Sequence, residues 1–161
     1  MTINIGILAF VTLERIAELW LARRNTHRLL SRGAREHAAG HYPLIVALHA
    51  AWLAALWWLG RDKPVDLFWL GMFVLLELTR IWVLTTLGPR WTTRIIILPG
   101  APLVRRGPYR WINHPNYWVV IGEIAVLPLV FGLWRIALLF SLLNAAALAV
   151  RIHEENRALG R

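Results

Sequence analysis

Two short segments in the last third of the chain carry residue types that take part in chemistry. The first, from Leu103 to Tyr117, contains the sequences Gly-Pro-Tyr and His-Pro-Asn-Tyr. Gly107-Pro108 predicts a turn, and Pro115 suits the first turn of a helix, where its missing N–H costs nothing. The second segment ends at Glu155 and places three charged side chains within little more than one helical turn. These are Arg151, Glu154 and Glu155.

Together the two segments offer three kinds of ligand contact. Free backbone N–H groups at a helix that starts at Pro115 favour an anionic group such as a carboxylate. Glu154 and Glu155 offer acceptors for a ribose or a cation, while Tyr109 and Tyr117 offer aromatic walls. These groups suit S-adenosylmethionine. The same residues also have purely structural interpretations. His114 could fix the loop, and the tyrosines could anchor the chain at the membrane interface. Arg151 and Glu155 could form an ordinary ion pair on a helix. The chain has no cysteine and no His/carboxylate cluster with ligand spacing, so no metal site is predicted.

Five apolar stretches must position these segments. The chain of 161 residues is 58% hydrophobic and only 17% charged, which leaves too little polar surface for a soluble domain. Each stretch is about long enough to cross a bilayer core of ~30 Å as a helix. We predict an all-α, polytopic membrane protein of one domain, residues 1–161. Its three N-terminal spans lie within 3–87, and residues 88–161 hold a cofactor-binding loop, a C-terminal helical hairpin and a tail. The predicted spans are 3–22, 43–59, 66–87, 117–132 and 133–152, with an interfacial helix over 22–41.

The arginines predict the orientation of the spans. Most of them fall in the first connection, the third connection and the C-terminal tail, which would all lie on one side. The positive-inside rule then places the N-terminus outside and the C-terminus and the loop in the cytoplasm. The formal charge of +9 therefore reflects topology, and nucleic-acid binding is not expected.

Ionisable residues also lie inside the predicted spans, nearly all in the inner half. Such groups are costly in hydrocarbon and face a protein interior or a cavity. They indicate either a polar cavity that opens to the cytoplasm or buried ion pairs that tie helices together. The residues are Glu14, Arg15, Glu18, His49, Glu77, Arg80 and Glu123, with the polar Asn144 in the fifth span.

The combination of Gly-Pro-Tyr, His-Pro-x-Tyr, a helical hairpin and Arg151-Ile-His-Glu-Glu155 resembles the isoprenylcysteine carboxyl methyltransferase family. These are membrane-embedded enzymes that use S-adenosylmethionine. The first half is similar to a bacterial branch that accompanies type III polyketide synthases and O-methylates alkylpyrones or alkylresorcinols. The motifs behind this similarity include Glu14-Arg15, Arg23-Arg24-Asn25, Gly33-Ala34-Arg35-Glu36 and His41-Tyr42-Pro43. The resemblance implies an integral protein of a bacterial cell membrane.

The resemblance also implies residue roles. Leu103 and Val104 would contact adenine through their main chain, and Arg151 would face the methyl acceptor. One position departs from the family pattern, since Asn113 stands where the family has arginine before His-Pro; Arg110 is the nearby charge that could replace it. The remaining cofactor contacts would come from Gly107, Tyr109, His114, Pro115, Asn116, Tyr117 and Glu155.

The expected activity is S-adenosylmethionine-dependent methylation of a lipophilic small molecule that partitions into membrane lipids, most simply the hydroxyl of an alkylpyrone or alkylphenol. No residue is singled out as a general base; Arg151, His114 and Glu154 are the catalytic candidates, with Glu123 a further possible base. Two alternatives stay open within enzymes: carboxyl methylation of a prenylated cysteine and N-methylation of a phospholipid amine. A third is a non-catalytic membrane scaffold, which Asn113 would favour.

Overall fold

The computed structural model describes residues 2–37 and 39–159, and most of them are helical. Five α-helices follow one another along the chain. They are α1 (Thr2–Leu30), α2 (Tyr42–Gly60), α3 (Leu67–Leu87), α4 (Pro115–Val130) and α5 (Trp134–Leu159). Two three-residue strands, β1 (Arg35–His37) and β2 (Ile95–Ile97), pair antiparallel with Arg35 opposite Ile97. Single turns of 3-10 helix span Ala39–His41, Gly88–Arg90 and Gly107–Arg110.

Of the five helices in the described residues, three have the length and apolar character of membrane spans, which confirms the predicted all-α membrane class. The segments Tyr42–Gly60, Leu67–Arg90 and Trp134–Arg157 are long and apolar enough to cross a bilayer, and α4 is apolar but shorter. Large apolar side chains such as Phe68, Leu78 and Leu142 are more than half exposed. A surface of this kind is stable in lipid and would associate in water.

The first helix is longer than predicted. It continues without a break to Leu30, so the separate interfacial helix predicted over 22–41 is wrong. The extension is fixed by tertiary contacts: Ala22 and Asn25 are buried, and Asn25 Nδ2 donates to the carbonyl oxygen of Trp91 at 2.9 Å. After Leu30 the chain turns at Gly33, whose φ of +87° favours glycine, and enters β1.

The apolar core lies at the end of the bundle where α4 turns into α5. Leu8, Trp52, Leu56, Leu127 and Phe131 are almost fully buried there. At the same end Asp66 begins α3: its side chain accepts from the amide of Phe68 at 2.9 Å, and its own amide donates to Val130 O at 2.9 Å. The start of α3 is thereby attached to the end of α4, which sets the register of this helix pair.

Helices α3 and α4 approach closely in the middle of the bundle. A Cβ added at Gly122 of α4 would lie 2.6 Å from Leu76 Cδ2 of α3. From this contact α4 extends back to its first residue, at the opposite end of the bundle from the apolar core. The loop 107–114 and the β1–β2 pair lie at that same end.

Candidate functional site

A cavity of about 220 Å³ lies where α4 begins and α5 approaches its end. Its walls come from the C-terminal ends of α1 and α3, the segment 90–104, the start of α4 and the last turns of α5. Eight of the residues that the sequence predicted for the site line this cavity together. They are Leu103, Val104, Tyr109, His114, Asn116, Tyr117, Arg151 and Glu155.

Three predicted residues lie outside the lining. Gly107 adopts a φ of +54°, and a Cβ there would lie 2.7 Å from Thr86 Oγ1, so this glycine shapes the loop. Pro115 is the buried first residue of α4 and faces a separate apolar groove between α3 and α4. Glu154 is half-buried on α5 beside the cavity. Gly107 and Pro115 therefore act on the loop and the helix start that carry the lining residues.

The hydroxyl group of Tyr117 is the centre of a hydrogen-bond network in the cavity. Arg151 Nε donates to Tyr117 Oη at 2.7 Å, and Tyr117 Oη donates to Glu155 Oε2. The Arg151 guanidinium also lies 5.4 Å from the centre of the Tyr117 ring. Because Nε makes the contact with Tyr117, and neither Nη atom of Arg151 donates to a described residue, the outer edge of the guanidinium is available to an anionic group.

His114 connects the loop to α5 while it lines the cavity. Its ring is stacked on that of Tyr117, with centroids 5.2 Å apart and planes 10° apart. Its Nε2 lies 3.2 Å from Asn156 Oδ1, to which it donates, and its Nδ1 lies 3.7 Å from Glu155 Oε2. The alternative of a loop-fixing histidine is therefore compatible with a place in the site, because the same side chain does both.

The start of α4 has the features of an anion-binding helix terminus. No side chain caps it among the described residues, and Pro115 occupies its first turn. The buried Oδ1 atom of Asn116 likewise has no hydrogen-bond partner in the described part of the chain. The Tyr117 amide donates to His114 O at 3.1 Å, so the Asn116 amide is the donor left to favour a carboxylate there. An unpaired buried acceptor calls for a donor such as an amino or hydroxyl group. S-adenosylmethionine carries all of these groups, so the residues present fit it.

Sequence reasoning missed the wall opposite α4, which is formed by the segment 90–102. Arg94 donates to Glu36 Oε1 at 3.1 Å and lies over the ring of Tyr42 at 4.7 Å, so it attaches this wall to β1 and α2. Arg90 Nη1 donates to Pro102 O at 2.6 Å and closes the loop on itself. The available signal was three successive β-branched residues, Ile95–Ile97, between the turn sequences Gly88-Pro89 and Pro99-Gly100.

Two further residues bear on the electrostatics of the cavity. Burial, followed by the nearby Glu155 carboxylate, raises the pKa of Tyr109, so its hydroxyl group is neutral and can both donate and accept.

Asn113 lines the cavity, whereas Arg110 is exposed and outside the lining. The structure therefore does not place Arg110 where it would replace a charge at position 113.

A second constellation lies inside the membrane-spanning part. Six side chains from α1, α3 and α4 form what we call the ionic cluster: Glu14, Arg15, Glu18, Glu77, Arg80 and Glu123. Arg80 is 2% exposed and binds Glu123 and Glu18. The sequence left open a polar cavity or buried ion pairs that tie helices together, and Arg80 binds carboxylates of two other helices. Within the cluster, buried ion pairs of Arg15 and Arg80 with Glu18 and Glu123 therefore join α1, α3 and α4.

The fold and the cavity define the class of this protein: an integral membrane protein with a polar site at one end of a five-helix bundle. The family model of the isoprenylcysteine carboxyl methyltransferase family matches residues 69–161, which include all of α4 and α5 and most of the cavity lining. The chain belongs to this family, whose members are membrane methyltransferases that use S-adenosylmethionine.

Two relatives are similar over nearly the whole chain. YpbQ, an uncharacterized protein of Bacillus subtilis, is 38% identical over 158 residues, 95% of this chain and 94% of the relative. An uncharacterized protein of Haemophilus influenzae is 25% identical over 151 residues, 90% of this chain and 88% of the relative. No solved structure matches the chain.

Proposed function

We propose that this protein transfers a methyl group from S-adenosylmethionine to the hydroxyl group of a lipophilic small molecule in the membrane, an alkylpyrone or alkylphenol. The observation that carries the proposal is the arrangement around Tyr117. It places a guanidinium with a free outer edge beside a cavity whose other groups fit the methyl donor.

The bound cofactor supplies an electrophilic methyl group on a sulfonium. The acceptor oxygen would take that methyl group as its carbon–sulfur bond breaks, and S-adenosylhomocysteine would leave with the electron pair of that bond. The hydroxyl proton of the acceptor is lost to solvent or to a base. The chain contributes by alignment and by exclusion of water from a direct displacement.

Within this scheme Arg151 orients the acceptor. Its Nη groups can hold an ionised oxygen, which stabilises the nucleophilic form of an acidic hydroxypyrone or phenol. Tyr117 acts as a positioning residue, because it receives Arg151 Nε and donates to Glu155. Glu155 accepts from the cofactor side, and His114 keeps the loop against α5.

Two other acceptors share the chemistry of methyl transfer. The carboxylate of a prenylated cysteine also suits Arg151, since it is already ionised at neutral pH. A phospholipid amine is cationic at neutral pH and is disfavoured beside a guanidinium. The scaffold alternative is supported by the presence of Asn113, in place of arginine, in the cavity wall.

The first experiment is calorimetric titration of detergent-purified protein with S-adenosylhomocysteine. We expect binding by the unchanged protein and its loss in Glu155→Ala, with retention in Glu154→Ala, the adjacent carboxylate outside the lining. Absence of binding by the folded, unchanged protein would support the scaffold alternative and overturn the proposal.

The acceptor is identified by a second experiment, in which the protein in lipid vesicles receives labelled S-adenosylmethionine with an alkylpyrone, an alkylresorcinol, a prenylcysteine or a phospholipid amine. We expect label in an O-methyl product of the first two. Arg151→Gln should keep S-adenosylhomocysteine binding and lose transfer. Label found only in a prenylcysteine ester or a methylated amine would overturn the choice of acceptor while leaving the methyltransferase activity intact.

A further inference from the structure

The ionic cluster lies deeper in the bundle than the cavity, on the helix faces that line it. On α1, Glu18 and the lining residue Leu29 are eleven residues apart, which at 100° per residue puts them on nearly the same face, about 16 Å apart along the axis. On α3, Arg80 and the lining residue Leu87 are seven residues apart, about 10 Å. Val83 lies between those two on α3 and is fully buried, and no residue of the cluster lines the cavity, so the cluster is a separate site.

The cluster contains more carboxylates than guanidinium groups. Four glutamates face two arginines, so the cluster carries two excess negative charges if every group is ionised. Both arginines direct their hydrogen bonds to the same two carboxylates. Arg80 donates to Glu18 Oε1 at 2.8 Å and to Glu123 Oε1 at 2.5 Å, and Arg15 donates to Glu18 Oε2 and Glu123 Oε2 at 2.9 Å each.

Glu77 is left without a donor. Its side chain is 10% exposed, and neither carboxylate oxygen has a hydrogen-bond partner among the described residues. The nearest cationic atom, Arg15 Nη2, lies 3.9 Å from Glu77 Oε1, beyond hydrogen-bond distance. The same Nη2 lies 3.5 Å from Glu14 Oε2, which is also buried and unpartnered in the described structure. Glu14 and Glu77 thus both lie beside the same guanidinium nitrogen of Arg15.

An ionised carboxylate with no donor is one of the costliest groups to place in hydrocarbon. A metal ion would offset the charge, but within residues 2–37 and 39–159 no group of three or more His, Cys, Asp or Glu side chains is arranged to hold one. A proton requires only one oxygen and an acceptor next to it. Glu77 provides the oxygen, and Glu14 provides the acceptor.

We propose that Glu77 is a proton-binding site: in the folded protein at neutral pH its side chain is a neutral carboxylic acid that donates its proton to Glu14. The bound proton reduces the excess charge of the cluster from two to one, which remains on Glu14, the more exposed carboxylate of the two. The other titratable or charged groups around it are Arg15 and Glu18 on α1, Arg80 on α3, Glu123 on α4 and His49 on α2. His49 donates from Nδ1 to Ile45 O at 2.8 Å.

The proton links the stability of the bundle to pH. An unfolded chain exposes Glu77 to water and releases the proton under mildly acidic conditions, so at neutral pH the folded state holds one proton more. Stability therefore falls as the pH rises above the range in which the unfolded chain releases the proton, and the fall ends once the folded state has also lost it. Loss of the proton places a second excess charge between α1 and α3.

The test is infrared spectroscopy of the full chain in lipid nanodiscs at neutral pH, comparing the unchanged protein with Glu77→Gln and Glu18→Gln. The carbonyl stretch of a protonated carboxylic acid, which shifts in heavy water, reports the proton directly. We expect Glu77→Gln to remove the band of one protonated carboxyl group and to leave the Tm unchanged at neutral pH, since glutamine keeps the shape and neutrality of the acid. Glu18→Gln is the matched control: it should leave the band in place and lower the Tm, because Glu18 is bound by both arginines.

The pH dependence provides a second readout. Between neutral and alkaline pH the Tm of the unchanged protein should fall more than that of Glu77→Gln. The proposal is overturned if the unchanged protein shows no band that Glu77→Gln removes, or if Glu77→Gln lowers the Tm at neutral pH as much as Glu18→Gln does. A Tm that rises with sodium or potassium ions in the unchanged protein but not in Glu77→Gln would also overturn it, in favour of a bound cation.

Discussion

Replacement of Arg80 by methionine tests whether the ionic cluster holds the membrane bundle together. Methionine has a long, flexible side chain that occupies much of the same buried space. It donates no hydrogen bond, so Glu123 and Glu18 lose donors. Arg80 makes two hydrogen bonds to Glu123 and one to Glu18. At about 1.5–3 kcal/mol for each charge-assisted bond, the simple sum is an upper bound, since Arg15 keeps one bond to each carboxylate.

We therefore expect Arg80→Met to lower the free energy of unfolding by about 3–5 kcal/mol, the usual effect of removing one partner of a buried pair. That loss is a large part of the ~5–15 kcal/mol of a typical domain. The assay is reversible unfolding by sodium dodecyl sulfate in mixed micelles, followed by the fluorescence of the ten tryptophans. Arg61→Met is the matched control, because its pair with Asp62 is 60% and 63% exposed and should contribute at most ~1 kcal/mol.

A second variant separates the charge from the packing. If stranded carboxylates cause the loss, Glu123→Gln added to Arg80→Met should recover part of the stability, since the double variant removes one unpaired charge. The reasoning is refuted if Arg80→Met costs less than ~1 kcal/mol, or if Glu123→Gln adds its full cost to that of Arg80→Met.

Three further predictions concern the helix contacts and the site. Gly122→Ala should lower the stability by about 1–3 kcal/mol through its clash with Leu76, which a lower Tm would report. Leu76→Ala in the same chain should relieve part of that loss. An unchanged Tm in the single variant would contradict the close approach of α3 and α4. Asp66→Ala should cost about 1 kcal/mol by removing the cap of α3, with Asp66→Asn losing less, and equal losses in both would argue against capping. Because burial raises the pKa of Tyr109 in the folded protein, the unfolded chain releases the phenol proton first, at about pH 10, and stability should fall as the pH rises beyond that value. Tyr109→Phe should reduce this fall. An unchanged slope of stability against pH in the variant would contradict a buried, neutral hydroxyl group.

The sequence predicted the helices well because the signals for them are local. Apolar runs of about 20 residues are bounded by Pro43, Asp66, Pro115 and Gly132, and the observed helices begin or end within a few residues of these positions. The extension of α1 to Leu30 was not predictable in this way. It depends on Asn25, whose amide donates to main-chain carbonyls more than 60 residues further along the chain. The strands β1 and β2 have three residues each, too few for a period of two to be recognised.

The candidate site likewise has one part that local sequence motifs predict and another part that depends on contacts between distant segments of the chain. The part built from the loop 103–117 and the turn 151–155 was predictable, because each motif is continuous in sequence and the hairpin of α4 and α5 returns the second to the first. The wall at Arg90 and Arg94 depends on pairing between β1 and β2, which no local pattern specifies. The partner of Arg80 shows the same limit: the sequence indicated buried ion pairs between helices, but no local spacing identifies Glu123, 43 residues away, as the residue that Arg80 binds.

The shortness of α4 makes the depth of the cavity depend on the thickness of the surrounding bilayer. Its 16 residues span about 24 Å, against about 39 Å for the 26 residues of α5, while a typical hydrocarbon core measures ~30 Å. With the turn shared by α4 and α5 at one boundary of the hydrocarbon and α4 perpendicular to the bilayer, the other end of α4 would lie about 6 Å short of the opposite boundary. Either the lipids thin locally or the start of α4 sits below the level of the headgroups. Lipids with shorter acyl chains would bring that end to the surface, whereas thicker membranes would bury it further.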